Sequence, residues 1–163
     1  MAMPFAAVIF DFGGVITASP FEGLNRLEAE RGLPRDLVRR INATNPESNA
    51  WARLERSEIT LAEFDSAFAG EAAQLGHELR GSEVMAVLSG AVRPAMVSAL
   101  DRLKAEGFAL GCITNNMRTP DYPADGMLSD ERLGPIFRRF DQVVESALTG
   151  LRKPDPRIYA LAC

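Results

Sequence analysis

Three short strand-like segments, two of them continuous apolar runs, punctuate a chain that is otherwise patterned for helices. Ala6 to Phe10 (AAVIF) is continuous and apolar, as a buried parallel strand requires, and it ends at Asp11 with Gly13-Gly14 close behind. Phe108 to Ile113 (FALGCI) is a second such run, ending at Thr114-Asn115-Asn116, and Asp141 to Glu145 (DQVVE) reads as a third strand. Between the first and second runs the period is helical. Phe21, Leu24 and Leu27 recur on one face up to Gly32, and Pro34 fits a first helical position ahead of Leu37, Val38 and Ile41. Asn45-Pro46 interrupts the pattern, and Trp51 with Leu54 marks a short helix. Thr60 and Glu63 form a capping box before Phe64 and Phe68, and Ser82 to Leu88 reads as a further helix. From Arg93-Pro94 an amphipathic helix through Met96, Val97, Leu100 and Leu103 leads to Gly107. After a polar connection, Ile136 to Phe140 is helical, and Asp155-Pro156 caps a last short helix. The pattern predicts an α/β fold on a parallel sheet. Residues 1–17 and 91–163 form its core, and an all-helical block over 18–90 is inserted after the first strand.

Composition narrows the function classes. The chain has 163 residues, 47% hydrophobic and 25% charged, with a net charge of −4, so it has enough apolar material for a core. No basic run is present, which argues against nucleic acid as a partner. No stretch approaches the ~20 apolar residues that cross a bilayer, so no membrane association is expected. Met1 to Phe10 lacks the basic flank of a signal peptide. Two cysteines, Cys112 and Cys163, make neither a disulfide framework nor a metal spacing, and a reducing cytoplasm is expected. His77 is the single histidine and reads as a solvated helix residue, which removes Ser/His/Asp and Cys/His catalysis.

The remaining chemistry sits at the carboxyl ends of the predicted strands and in one loop. Open α/β sheets bind ligands on that rim. Asp11, the pair Thr114-Asn115 and Lys153 converge there if the crossovers are right-handed. A carboxylate can attack phosphorus or carbon, and a lysine beside it stabilises charge on a transferring group. Each residue alone has a plainer reading, as a strand end, a turn or a solvated loop lysine. The conjunction in order is what points to a site. Trp51, Phe64 and Phe68 read more readily as a helical core stripe than as a pocket lining.

VIFDFGGVI at 8–16, GCITNN at 111–116 and GLRKPDPRIY at 150–159 resemble the first three motifs of the haloacid dehalogenase superfamily. The helical block resembles that family's cap, and the whole resembles the phosphatase-like domain joined to epoxide hydrolases and some acyl-CoA dehydrogenases. The resemblance implies a Rossmann-like core. It implies Asp11 as nucleophile and metal ligand, and Gly13 as a carbonyl ligand to Mg²⁺. Thr114 and Asn115 would bind the substrate, and Lys153 would be the catalytic cation. The substrate implied is a small phosphorylated metabolite. Two departures stand out. Gly13 takes the place of the phosphatases' second aspartate, which keeps dehalogenase chemistry or a degenerate binding domain open. The acidic fourth motif does not occur before Cys163, so the C-terminal part of the core is expected to be missing. Weak Mg²⁺ binding, little activity and a homo-oligomer through the exposed sheet edge are expected with it.

Overall fold

The structure, a computed structural model, describes residues 5–88 and 90–163. Three parallel strands, β1 (Ala7–Phe10), β2 (Ala109–Thr114) and β3 (Gln142–Glu145), lie in the order β1-β2-β3. Ala7 pairs with Ala109 and Phe10 with Cys112, while Gly111 pairs with Gln142 and Thr114 with Glu145. The predicted strands are all present, each starting one residue later than the sequence suggested. Among the described residues β1 is an edge strand, and Ile9 on it is 44% exposed.

Nine helices follow the order α1 (Pro20–Glu30), α2 (Leu37–Ala43), α3 (Ala50–Glu55), α4 (Leu61–Gln74), α5 (Gly81–Ala86), α6 (Pro94–Ala105), α7 (Gly134–Phe137), α8 (Ser146–Thr149) and α9 (Pro156–Ala160) among the described residues. Helices α1 to α5 surround their own core, in which Phe64, Phe68, Leu37 and Leu54 are buried. A second core under the sheet joins Phe12, Ile16, Leu100, Leu110, Cys112 and Phe137. The two connections between these bodies run side by side. Ala18 N donates to Ala91 O at 2.8 Å and Arg93 N to Ile16 O at 2.9 Å, flanking an antiparallel bridge between Thr17 and Val92. The helical block therefore leaves and rejoins the sheet at one place.

Local side chains cap several of the helices. The capping box at Thr60 forms in full: Glu63 N donates to the Thr60 hydroxyl and Thr60 N to the Glu63 carboxylate. Asp155 accepts from Arg157 N and caps α9, with Pro156 at its first position. The start of α2 differs from expectation. Pro34 lies outside the helix, Asp36 adopts a left-handed conformation, and α2 begins at Leu37. The cause is tertiary. The buried Glu28 carboxylate accepts from Asp36 N at 2.7 Å and Val38 N at 3.0 Å, supplying from α1 the cap that the local sequence lacks. The fifth helix spans Gly81–Ala86 in place of Ser82 to Leu88, and α7 is Gly134–Phe137 in place of Ile136 to Phe140. His77 follows α4 and is half-buried, not a solvated helix residue.

Trp51, Phe64 and Phe68 form a core stripe. Phe64 and Phe68 are fully buried with ring centroids 5.4 Å apart, and Trp51 meets Phe64 edge-on at 6.0 Å. Phe64→Ala is expected to cost about 3–5 kcal/mol of stability, read as a lower midpoint in urea unfolding. A loss below about 1 kcal/mol would mean that this core does not hold the helical block together.

Candidate active site

The carboxyl end of β1 delivers Asp11 to the rim of the sheet. Its Oδ1 accepts from Phe12 N at 2.7 Å and lies 2.6 Å from Lys153 Nζ. The Asp11 side chain is 47% exposed and Lys153 19%, so the pair faces solvent on the aspartate side. Lys153 Nζ also donates to Ile113 O at 2.8 Å, which anchors the ammonium against the end of β2. Thus the structure brings together the two residues that sequence reasoning placed in catalysis, 142 positions apart in the chain. Thr114 ends β2 and is buried.

Asn115 has a different environment from the one expected of a group that holds substrate. Its Oδ1 accepts from Lys153 N at 2.8 Å, and its Nδ2 donates to Lys153 O at 3.1 Å. The side chain amide thereby grips the backbone of Lys153 on both sides, in the manner of a strand partner. The same Nδ2 donates to Glu55 Oε2 at 3.2 Å. Glu55, on α3, also accepts from Arg152 Nε at 2.6 Å and from Trp51 Nε1 at 2.9 Å, and its side chain is 7% exposed. Sequence reasoning missed Glu55, because a glutamate on a short amphipathic helix looks like any solvated acid.

A second polar centre supports the rim. Glu145, at the end of β3, is buried and accepts from Asn116 Nδ2 at 2.6 Å, Tyr122 Oη at 2.6 Å and Met127 N at 3.0 Å. Burial, and then its bond to Glu145, push the Tyr122 hydroxyl well above the usual phenol range. Ser146 exchanges bonds with the Asn116 backbone, accepting from its N and donating to its O, both at 2.9 Å. Glu145 therefore fastens the loop after β2 to β3. Cys112, buried in β2, has its thiol pushed up to about 12 by burial and, secondarily, by the charge on Asp11. It is an inert core residue.

The loop after β2 also borders a cleft of about 470 Å³, whose other wall is residues 57–63, the link from α3 and the first turn of α4. Ile59, Leu61 and Pro120 give it apolar surface, and Arg118 lies on its core side.

A divalent cation fits these residues poorly. Gly13 is exposed in the turn after β1, so Asp11 and a Gly13 carbonyl offer one carboxylate and one neutral oxygen. The other acids nearby are engaged. Glu145 and Glu55 are bound as above, and Asp155 accepts from Arg157 N. Among the described residues no group of three His, Cys, Asp or Glu could hold a metal. Mg²⁺ demands near-octahedral oxygen ligation with carboxylate help. Titration of this chain with Mg²⁺ by calorimetry is expected to give binding in the millimolar range or weaker, and micromolar binding would show a ligand set that these residues do not form.

The family model of the haloacid dehalogenase-like hydrolases matches residues 5–163, nearly the whole chain, including the segments 8–16, 111–116 and 150–159. The chain belongs to the haloacid dehalogenase-like hydrolases. Among characterised members it is similar to the sesquiterpene phosphatase astK of Aspergillus oryzae, 34% identical over 165 residues that span 98% of this chain and 73% of that protein. It is 30% identical to mouse acyl-CoA dehydrogenase family member 10 over 96% of this chain and 14% of that protein. Mouse bifunctional epoxide hydrolase 2 is 27% identical over 98% of this chain and 30% of that protein. The chain thus spans a small part of the last two. Among solved structures, a dehalogenase superposes with a TM-score of 0.60 at 20% identity, over all of this chain and 72% of that one. The putative haloacid dehalogenase-type hydrolase YfnB of Bacillus subtilis, crystallised with magnesium, gives 0.55 at 18% identity over 98% of this chain and 73% of that one. These likenesses establish the fold of this family member: a parallel sheet with helices, whose first crossover contains the helical block. No helix among its described residues is long and apolar enough to cross a membrane.

Proposed function

We propose that this chain is a hydrolase of small phosphorylated metabolites that works, at a low rate, through an aspartyl-phosphate on Asp11. The observation that carries the reading is the Asp11–Lys153 pair, at 2.6 Å on an exposed rim. Asp11 Oδ1 is taken by Phe12 N and Lys153, which leaves Oδ2 as the attacking atom. Oδ2 forms a bond to phosphorus as the ester P–O bond breaks. The departing alkoxide takes its proton from solvent; water then attacks phosphorus, gives a proton back to solvent, releases orthophosphate and returns the carboxylate. The Lys153 ammonium offsets the negative charge gathered between the carboxylate and the phosphate. The Thr114 hydroxyl is proposed to hold a phosphate oxygen. Asn115 would contribute by holding Lys153. The helical block is proposed as a cap over the rim, with the cleft between residues 57–63 and Arg118 taking the body of the substrate. The astK relative supports phosphate esters as the substrate class.

Gly13 favours a second reading, that of a dehalogenase-type hydrolase. With glycine two residues after the nucleophile, no carboxylic acid stands there to protonate a leaving group, and a halide needs none. Parallel assays separate the two: orthophosphate release from 4-nitrophenyl phosphate and small alkyl phosphates, and chloride release from 2-chloropropionate, each with and without Mg²⁺. The proposal expects phosphate release. Chloride release alone would replace it with the second reading, and neither product would leave a binding domain.

A further inference from the structure

We infer that Glu55 is a positioning residue that ties docking of the helical block to the placement of Lys153. The inference rests on the proposed reading of Asp11 and Lys153 as the reacting pair. Its basis is the pattern of carboxylate partners. The other engaged acids of the block bond within it: Glu28 to Asp36 N and Val38 N, Asp36 to Arg39, Glu58 to Arg56, Glu63 to Thr60, Asp65 to Arg80 and Ser82, Glu71 to Ala50 N, and Glu83 to Arg31 and Arg80 N. Glu55 alone among them, within the described residues, reaches the core. It accepts from Asn115 Nδ2, 60 residues away, and from Arg152 Nε, 97 residues away.

Those two donors flank Lys153. Asn115 grips the Lys153 backbone through both of its amide atoms. Arg152 precedes Lys153 in the chain, and its side chain is bound only to the helical block among the described residues, to Glu55 and to Pro46 O at 3.2 Å. If α3 withdraws from the core, Arg152 loses both partners and Asn115 loses one. A nearly buried ion pair cannot be half kept, because an unpaired charge left in low dielectric is strongly unfavourable. Docked and undocked arrangements are therefore discrete states. In the docked state the 152–153 segment is held from two sides, and Lys153 Nζ lies against both Asp11 and Ile113 O. The lysine is fully placed only when the block sits on the rim, so charge stabilisation at Asp11 is linked to closure.

The decisive measurement is amide hydrogen exchange at Lys153 in Glu55→Gln, with Glu28→Gln as the comparison. Glu28 is a buried acid of the same block that bonds only inside it. Glu55→Gln is expected to speed exchange at the Lys153 amide by about tenfold or more, while Glu28→Gln leaves it within about twofold. If Glu55→Gln does not fold, Arg152→Lys serves instead: it keeps the charge, loses the Nε–H contact, and should speed the same amide. Equal effects of the Glu55 and Glu28 variants on Lys153, or no effect of either, would overturn the inference. Kinetics read the underlying function separately. With turnover present, Glu55→Gln should lower kcat for 4-nitrophenyl phosphate by about tenfold with KM within about twofold. A chain without turnover whose Lys153 amide still responds to Glu55→Gln would refute the proposed function and retain the positioning role. A fall in kcat with unchanged exchange at Lys153 would refute the positioning role.

Discussion

Asp11→Asn is expected to lower phosphate-ester turnover by roughly 10⁴-fold or more, the scale on which removal of a covalent nucleophile acts. The change is nearly isosteric, and the asparagine carbonyl still accepts from Phe12 N as Oδ1 does at 2.7 Å. Asp11 is 47% exposed in its side chain, so folding is expected to change by no more than about 0.5 kcal/mol. Lys153 keeps its bond to Ile113 O and stays at the rim. What the variant lacks is an anionic oxygen able to form a bond to phosphorus. Loss of turnover with an unchanged urea midpoint would thus assign Asp11 to chemistry. Activity within about tenfold of the parent would remove the carboxylate from the reaction.

Gly13→Asp is expected to move activity the other way, by about 10² to 10⁴-fold in kcat for substrates with poor leaving groups, the usual contribution of a general acid. The backbone allows it. Gly13 is not among the glycines with positive φ, whereas Gly14 next to it has φ +78°. A Cβ at Gly13 meets no atom within 4 Å, so a side chain can enter without displacing a neighbour. A carboxylic acid there would stand two residues from the nucleophile, on the same turn, and could protonate the departing alkoxide. The gain should be large for alkyl phosphates and small for 4-nitrophenyl phosphate, whose leaving group needs little protonation. An equal change for both would mean that the new carboxylate acts by some route other than proton transfer. A matching rise in chloride release would favour the dehalogenase reading.

The parts of this molecule that were legible in sequence are those written locally. The first two strands could be read because parallel strands inside a sheet are continuous apolar runs, and they lead to residues with chemical capacity, Asp11 and Thr114. The Thr60 box and the Asp155 cap could be read because both use neighbours in sequence. The start of α2 could not, since its cap is Glu28, a residue of another helix. Asn115 was recognisable as a rim residue, yet its orientation toward the Lys153 backbone depends on a loop 38 positions away. Glu55 and Glu145 were invisible for the same reason. An acid at a helix end or strand end has no local signal that says whether it faces water or gathers three donors from distant segments.

The most direct test of the account is the mass of the Asp11-bearing peptide after acid quench of the protein turning over 4-nitrophenyl phosphate. Covalent catalysis by Asp11 predicts a species heavier by one phosphoryl group, with the modification on Asp11, absent from Asp11→Asn and discharged when the quench is delayed past substrate exhaustion. Orthophosphate release at the parental rate by Asp11→Asn, or a phosphoryl group found on another residue at turnover, would contradict it.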